Sequence, residues 1–358
     1  MNIAFRVDSS EAIGTGHCMR CLTLALKLQE TGLKVIFVCR KTNGNLINLI
    51  ERHNFKVIPL NSIAKHEASN FSNQNIDLDA TESLEIFKKF SINLVILDHY
   101  FLSSSWEALI NKQFKLMCIS DYPSKNRLCD ILLDSTLNRK EIEYKKYVKN
   151  NSILMTGLDY LLLRDEFIKL GATQKKNDDK KVKNILVTMG GSDPDDFTAK
   201  IIKFFRNYKN PNFKNIQLSI LVGGAYNNSE GTLNLLKTSN LNFKFYENIS
   251  SVATLMRKMD LIICSAGTTL WECFAIKVPT ISVMIAENQE SNIESITRSG
   301  ASIACNTNND FLPSFEAAIE KVLNQESIRK NLIKNSSEII DGQGSIRVAN
   351  SILSFLND

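Results

Sequence analysis

Short, continuous apolar runs alternate with segments of helical periodicity along almost the whole chain, and this order constrains the fold more than any other feature. Two of the runs, Val35–Val38 and Leu94–Leu97, contain no polar residue. Such runs are typical of strands in a parallel sheet whose two faces are both covered by helices. The repeated strand–helix order therefore predicts an α/β fold with doubly wound parallel sheets.

The predicted elements fall into two groups. In the first half, strands are expected near 2–7, 34–39, 56–59, 93–97, 115–119 and 130–133, and helices near 17–31, 43–52, 81–90 and 105–112. In the second half, strands are expected near 184–189, 216–222, 242–246, 261–264 and 280–284, and helices near 195–206, 250–258, 269–276 and 290–298. Region 313–357 is predicted to be helical.

Chain length and one charged segment predict two domains. The chain has 358 residues, and single cores usually stop growing at about 250–300 residues. Segment 171–183 is polar and charged, which is typical of a linker. We expect one Rossmann-like domain over 1–170 and another over 184–358, with the ligand in the interdomain cleft at the carboxyl ends of the strands.

The composition excludes several classes of protein. The hydrophobic fraction of 44% and the charged fraction of 23% are those of an ordinary globular protein. No apolar run is long enough for a transmembrane helix, and the N-terminus does not resemble a signal peptide. We expect a cytoplasmic monomer that binds neither nucleic acid nor membranes stably, and whose eight cysteines are thiols.

A glycine-rich turn follows the first predicted strand. Its residues Gly14-Thr15-Gly16-His17 open a helix. Glycines let the backbone approach a ligand closely, and a helix N-terminus directs free N–H groups at an anion. The spacing matches neither G-x-G-x-x-G nor a P-loop. An ordinary tight turn with a surface histidine is therefore an alternative interpretation.

The C-x-x-C sequence formed by Cys18 and Cys21 raises the question of zinc. The sequence has no second pair of cysteines at ligand spacing, so a four-ligand site cannot be assembled locally. Both residues fall on the predicted apolar face of the helix, and we interpret them as core cysteines.

His17 is the best candidate for acid/base chemistry, because an ordinary imidazole titrates near neutrality. Asp8 is expected to orient it and to hold its tautomer. His99 is a second candidate, whereas His53 and His66 lie in polar surroundings and are expected at the surface. The sequence has no metal-hydroxide motif and no G-x-S-x-G, so we expect neither a metal nor a serine nucleophile.

Two further strand-to-helix turns suggest a diphosphate site in the second half. The first contains Gly190, Gly191 and Ser192, and the second spans Ser265–Thr269. Small residues permit close approach, and a helix N-terminus favours negative charge. Glu272, one helical turn after Thr268, could accept hydrogen bonds from a ribose diol. Ordinary N-cap chemistry is the alternative for each turn.

Six motifs occur in order along nearly the whole chain: Arg6–Arg20, Leu97–Tyr100, Leu161–Phe167, Val187–Pro194, Ser265–Glu272 and Asn288-Gln289. In combination they resemble the UDP-2,4-diacetamido-2,4,6-trideoxy-β-L-altropyranose hydrolase family of pseudaminic acid biosynthesis, which is related to spore-coat polysaccharide proteins. The resemblance implies a glycosyltransferase-B-type fold and metal-independent hydrolysis of that UDP-sugar with inversion at the anomeric carbon. It implies no cofactor.

The resemblance also implies roles for individual residues. His17 would be the general base on water, and Tyr100 and Asn288 would orient water and substrate. The expected substrate-binding residues are Arg6, Gly14, Gly16, Arg20, Gly190, Gly191, Ser192, Ser265, Gly267, Thr268, Thr269, Glu272 and Gln289. A glycosyltransferase with a non-water acceptor and a non-catalytic nucleotide-sugar binding protein are the alternatives, because fold alone does not separate them.

Overall fold

The computed structural model describes the chain except residues 12, 62–72, 174–180, 211, 212, 214, 250, 287, 288, 306–310 and 358. The chain divides into two compact units. The first consists of Met1–Leu162 together with Gln343–Asp358, and the second consists of Leu163–Gly342. Among the described residues, no helix combines the length and apolar character needed to cross a bilayer.

In the described part of the first unit, seven strands form a parallel sheet in the order β3-β2-β1-β4-β5-β6-β7. The strands are β1 (Asn2–Val7), β2 (Lys34–Arg40), β3 (Lys56–Leu60), β4 (Leu94–Asp98), β5 (Lys115–Ile119), β6 (Ile131–Asp134) and β7 (Ile153–Thr156). The helices are α1 (Gly16–Glu30), α2 (Ile47–Arg52), α3 (Asn73–Lys89), α4 (Ser104–Asn111) and α13 (Gly344–Asn357).

The described part of the second unit contains six strands, again all parallel, in the order β10-β9-β8-β11-β12-β13. The strands are β8 (Asn184–Thr188), β9 (Gln217–Val222), β10 (Phe243–Glu247), β11 (Leu261–Ser265), β12 (Thr280–Val283) and β13 (Ile303–Cys305). The helices are α5 (Asp165–Gly171), α6 (Phe197–Asn207), α7 (Ser229–Lys237), α8 (Val252–Arg257), α9 (Thr268–Ala275), α10 (Glu290–Ser299), α11 (Phe311–Asn324) and α12 (Glu326–Ser337).

Both sheets are built from the continuous apolar runs that the sequence contains. Every residue of β4 and β11 is buried, as expected for central parallel strands covered on both faces. The predicted α/β fold class is therefore confirmed. Cys18 and Cys21 are buried in the core beneath α1, and burial raises the pKa of the Cys18 thiol to about 12. Their interpretation as core cysteines is also confirmed.

The unit boundaries differ from those expected. Helix α13 belongs to the first unit, where Val348 and Ile352 join the same apolar cluster as Leu28 of α1. The segment expected as a linker starts inside α5, and most of it lies outside the described residues. Helical periodicity predicts α13 itself, but it carries no information about which of two sheets the helix covers.

Several elements were not predicted, and each lacks a strong local pattern. β7 and β13 are short strands at sheet edges, and α5 and α7 are short helices. Helix α3 begins at Asn73, eight residues before the predicted start near 81. Its extra turns contain Asp79, whose buried ion pairs with Arg6 and Arg40 stabilise a segment that local apolar periodicity does not identify.

Candidate active site

His17 lies in the first turn of α1, directly after the glycine-rich turn. Gly14 has a φ of +81°, which favours glycine, and its N–H donates to the carbonyl of Ser10 at 2.8 Å. The N-cap, Thr15, makes no side-chain capping bond, and the first turn contains no acidic residue. The start of α1 therefore presents the partial positive charge of a helix N-terminus beside the imidazole.

The partner of His17 is Asp98, which ends β4. The two side chains are joined by a contact of 2.7 Å between Nδ1 and Oδ1, and both are buried. Burial alone would raise the pKa of the Asp98 carboxyl, but the charge of Arg20 and the hydrogen bonds from Arg20 and His17 outweigh it and hold that pKa far below its usual range. Because an ionised carboxylate only accepts hydrogen bonds, His17 Nδ1 must carry the proton.

This tautomer leaves the lone pair of His17 on Nε2. Arg20 Nη2 also lies 3.1 Å from Nδ1, but it donates to Asp98 at 2.7 Å, so Asp98 is the acceptor for both groups. An imidazole with its Nδ1–H bound to a carboxylate and its Nε2 lone pair available is the arrangement that a general base requires.

Arg20 and Tyr100 lie beside His17. Arg20 donates to Asp98 and to Asp121, and the Tyr100 hydroxyl donates to Asp121 at 2.6 Å. The Tyr100 ring meets the imidazole edge-on, with 4.3 Å between ring centroids. The sequence predicts Arg20 and Tyr100 at the site, but no local pattern identifies Asp98 and Asp121 as their partners.

Asp8 does not orient His17, contrary to the sequence prediction. Its carboxylate accepts a bidentate pair of hydrogen bonds from Arg6, one from the backbone N–H of Arg40 and one from His99. Burial alone would raise the pKa of Asp8, but Arg6 and His99 hold it well below its usual range. Asp8 is therefore a buried counter-ion.

Arg6 and His99 are also structural residues, which corrects two further predictions. Arg6 is fully buried between Asp8 and Asp79, so it is not available to substrate. His99 Nδ1 accepts the backbone N–H groups of Phe101 and Leu102, so Nε2 carries the proton that is donated to Asp8. Both nitrogens of His99 are thus committed. Asp79 lies far away in the sequence, and no local signal connects it with Arg6.

The glycine turns of the second unit converge at the carboxyl ends of β8, β9 and β11. Gly190 has a φ of +86°, and a Cβ there would lie 3.5 Å from Ser265 Oγ and 3.8 Å from Thr269 Oγ1. A Cβ at Gly223 would lie 2.6 Å from the Cα of Gly191. Gly223 was not among the predicted residues, although the pair Gly223-Gly224 comes directly after β9 and Gly190-Gly191 comes one residue after β8. Because glycine has no side chain, the turns after β8, β9 and β11 can pack closely together.

Only one of the two predicted helix starts remains open to an anion. At α6, Asp193 accepts the N–H groups of Phe197 and Thr198, and Asp196 accepts that of Ala199. At α9 the N-cap is Gly267, which makes no side-chain capping bond, and the first turn contains no acidic residue. The two turns are therefore not equivalent: carboxylates already occupy the positive end of α6, whereas α9 keeps its partial charge.

The remaining predicted residues lie around α9. Glu272 is buried, and its Oε1 accepts a hydrogen bond from Arg164 Nε at 2.8 Å and forms an ion pair with Arg164 Nη2, also at 2.8 Å. Burial raises the pKa of the Glu272 carboxyl, against the opposing effect of Arg164. Gln289 Oε1 accepts the N–H of Ile285, and its Nε2 lies 3.5 Å from the position of a Cβ on Gly267. Asn288 lies outside the described residues.

Residues 184–343 match the glycosyltransferase family 28 C-terminal domain. An uncharacterized protein of Methanocaldococcus jannaschii is 29% identical over 288 residues, which cover 78% of this chain but only 55% of that protein. The UDP-2,4-diacetamido-2,4,6-trideoxy-β-L-altropyranose hydrolase of Campylobacter jejuni is 27% identical, with 84% of this chain and 97% of that protein covered. The spore coat polysaccharide biosynthesis protein SpsG of Bacillus subtilis is 24% identical, with 97% and 96% covered.

Among solved structures, MurG of Acinetobacter baumannii superposes with a TM-score of 0.70 at 14% identity, covering 99% of each chain. This likeness shows the fold, which is of the glycosyltransferase-B type with two parallel-sheet α/β domains. The relatives span both domains at modest identity, and the family profile matches the second. The chain thus has the glycosyltransferase-B fold and is similar in sequence, over both domains, to the C. jejuni UDP-sugar hydrolase and to the spore coat protein SpsG.

Proposed function

We propose that this protein hydrolyses UDP-2,4-diacetamido-2,4,6-trideoxy-β-L-altropyranose to UDP and the free sugar, by attack of water at the anomeric carbon with inversion. The observation that carries the proposal is the His17–Asp98 pair at an uncapped helix start. The name of the C. jejuni relative supplies the substrate.

The proposed role of His17 follows from its tautomer. Nε2 accepts a proton from water as the water oxygen bonds to the anomeric carbon and the bond from that carbon to the UDP oxygen breaks. Asp98 stabilises the imidazolium that results, as an ion-paired carboxylate does in other acid/base pairs. A well-placed general base contributes about 10²–10⁴-fold to the rate.

The proposed leaving-group site is in the second unit. The diphosphate would lie at the open start of α9, near Ser265, Thr268 and Thr269, where the helix N-terminus favours its negative charge. The small residues at Gly190 and Gly267 would allow that approach. Because UDP leaves as a stabilised anion, the reaction has little need of a strong acid on this side.

The direct test is an assay with the UDP-linked diacetamido sugar in EDTA and ¹⁸O-labelled water, with UDP-N-acetylglucosamine as the comparison substrate. We expect release of UDP, first appearance of the α-anomer by NMR, and ¹⁸O in the sugar only. Retention of the β-anomer, or ¹⁸O in UDP, would contradict water attack at the anomeric carbon by this route.

A glycosyltransferase that uses an acceptor other than water is the second candidate, because the matching family profile is that of a glycosyltransferase domain. The same assay separates the two functions. A hydrolase releases UDP at full rate without any added acceptor, whereas a transferase needs its acceptor for rapid turnover.

Glu272 is proposed to accept hydrogen bonds from the uridine ribose. We expect Glu272→Gln to weaken UDP binding by about 1.5–3 kcal/mol, or about 10- to 150-fold in Kd, because it removes a charge-assisted acceptor. The loss should be much smaller for the 2′-deoxy nucleotide, which lacks one of the two hydroxyls. Isothermal titration calorimetry with both nucleotides measures this difference.

Glu166→Gln is the matched control, since Glu166 also pairs with Arg164 but is far more exposed. It should leave both affinities close to those of the wild type. Equal losses for UDP and its 2′-deoxy form in Glu272→Gln would show that Glu272 acts on the fold of the site and not on the ribose.

A further inference from the structure

Asp121 lies in the loop after β5 and connects two side chains of the candidate active site, Arg20 and Tyr100. Its Oδ1 accepts from Arg20 Nη1 at 2.7 Å, and its Oδ2 accepts from the Tyr100 hydroxyl at 2.6 Å. Arg20 continues to Asp98, and Asp98 holds His17. Since the Tyr100 ring packs edge-on against His17, the contacts form a closed ring that begins and ends at the imidazole.

The fold explains why these groups meet. β4 and β5 are neighbouring parallel strands, with Leu97 in register with Cys118, so Asp98 at the end of β4 and Asp121 just after β5 lie at the same edge of the sheet. Arg20 is three residues after His17 on α1, and side chains at that spacing share one face of a helix. A single helical face thus brings the base and the guanidinium to two carboxylates.

The charges of this ring indicate what the second carboxylate, Asp121, does: it balances the positive charge that forms when His17 takes a proton. Asp98 is shared, because it accepts from the permanently charged Arg20 and from His17. With Asp121 included, the cluster of Asp98, Asp121, Arg20 and a neutral His17 has a net charge of −1. When His17 takes a proton, the cluster becomes neutral. Without Asp121, the same step would leave a net positive charge in a largely buried site, which is unfavourable.

Asp121 is suited to this role because it is ionised and held on both sides. Burial alone would raise the pKa of its carboxyl, but Arg20 outweighs burial and keeps the pKa below its usual range. Its two hydrogen-bonded partners, Arg20 and Tyr100, fix its position relative to the imidazole.

We propose that Asp121 is a positioning residue for His17, which acts through Arg20 and Tyr100 to hold the imidazole as its Nδ1–H tautomer and to balance the proton that Nε2 accepts. This deepens the proposed function, on which its catalytic consequence rests. Arg20 is then part of the frame around the base, whereas the sequence analysis assigned it to substrate binding.

The kinetic test is Asp121→Asn, which keeps the size of the side chain and removes its charge. We expect kcat for UDP release to fall about 10- to 100-fold, the cost of a small misplacement of a catalytic group. KM and the Kd for UDP should stay within about threefold of the wild type. The substitution removes an interaction that stabilises the transition state and leaves the binding of the ground state unchanged. Asp121→Glu, which restores the charge, should recover part of kcat.

A second readout does not depend on activity. The ¹⁵N shifts of the imidazole nitrogens of His17 report its tautomer, and the signals are assigned by their loss in His17→Gln. We expect the wild type to hold the Nδ1–H form, and Asp121→Asn to populate the Nε2–H form because Arg20 then competes fully for Asp98. If Asp121→Asn does not fold, Tyr100→Phe, which removes one bond to Asp121 and keeps the ring, should shift the signals in the same direction.

Asp130→Asn is the matched control, since Asp130 is another ion-paired carboxylate of the first unit, bound to Lys149. It should leave kcat and the His17 shifts unchanged. Equal loss in the control, a rise in KM at constant kcat, or wild-type shifts in both Asp121→Asn and Tyr100→Phe would overturn the proposal. If the wild type releases no UDP from any UDP-sugar, the proposed function fails, and the ¹⁵N shifts alone decide the role of Asp121.

Discussion

Replacement of Asp98 by Asn is expected to lower kcat for UDP release by about 10³–10⁴-fold, an effect comparable with loss of the corresponding carboxylate in a hydrolase triad. The physical reason is the tautomer of His17. The carboxylate accepts the Nδ1 proton at 2.7 Å, whereas the amide NH₂ of Asn would donate to Nδ1 and move the proton to Nε2. Nε2 would then have no lone pair with which to activate water.

Steady-state kinetics and the ¹⁵N shifts of His17 measure this effect together. The variant should bind UDP with nearly wild-type affinity, because Asp98 lies in the first unit and the proposed nucleotide residues lie in the second. A kcat within tenfold of the wild type, with the Nε2–H form dominant, would show that the tautomer is not what catalysis requires.

His17→Gln is expected to lower kcat for UDP release by about 10²–10⁴-fold while the Kd for UDP changes by less than about threefold. Glutamine keeps a polar side chain at the start of α1 but has no group that takes a proton near neutrality, so the contribution of the base, about 10²–10⁴-fold, is lost. UDP-release kinetics and calorimetry on the same preparation separate turnover from binding.

His53→Gln is the control for this experiment, because His53 is exposed and follows α2. It should have wild-type activity. If His17→Gln retained near-normal hydrolysis, the base would have to be another group, and the assignment of His17 would be wrong.

The parts of the fold that depend on local patterns could be predicted from the sequence. Continuous apolar runs identify the central strands such as β4 and β11, and the helical spacing of Cys18 and Cys21 identifies the buried face of α1. Short edge strands cannot be predicted in this way, since three or four residues are too few to show a periodic pattern. The unit to which α13 belongs cannot be predicted from the local pattern either, because an amphipathic helix fits the apolar face of either sheet.

The candidate site could be predicted only in part. A histidine after a glycine turn at the end of a strand is a local signal, and it locates His17. The identity of its partner is a tertiary fact: Asp8 is near in sequence and binds Arg6, whereas Asp98 is 81 residues away and binds His17. Charged residues at strand ends indicate where a site is, but the pairing among them depends on side-chain directions that the sequence does not contain.

The order of the two units along the chain has a consequence for biosynthesis. The first unit begins at Met1 but needs residues 344–357, whose apolar side chains pack on α1. A ribosome must therefore translate the whole of the second unit before the first can close its core. Until α13 is synthesised, the apolar residues of α1 that it covers lack that part of their packing.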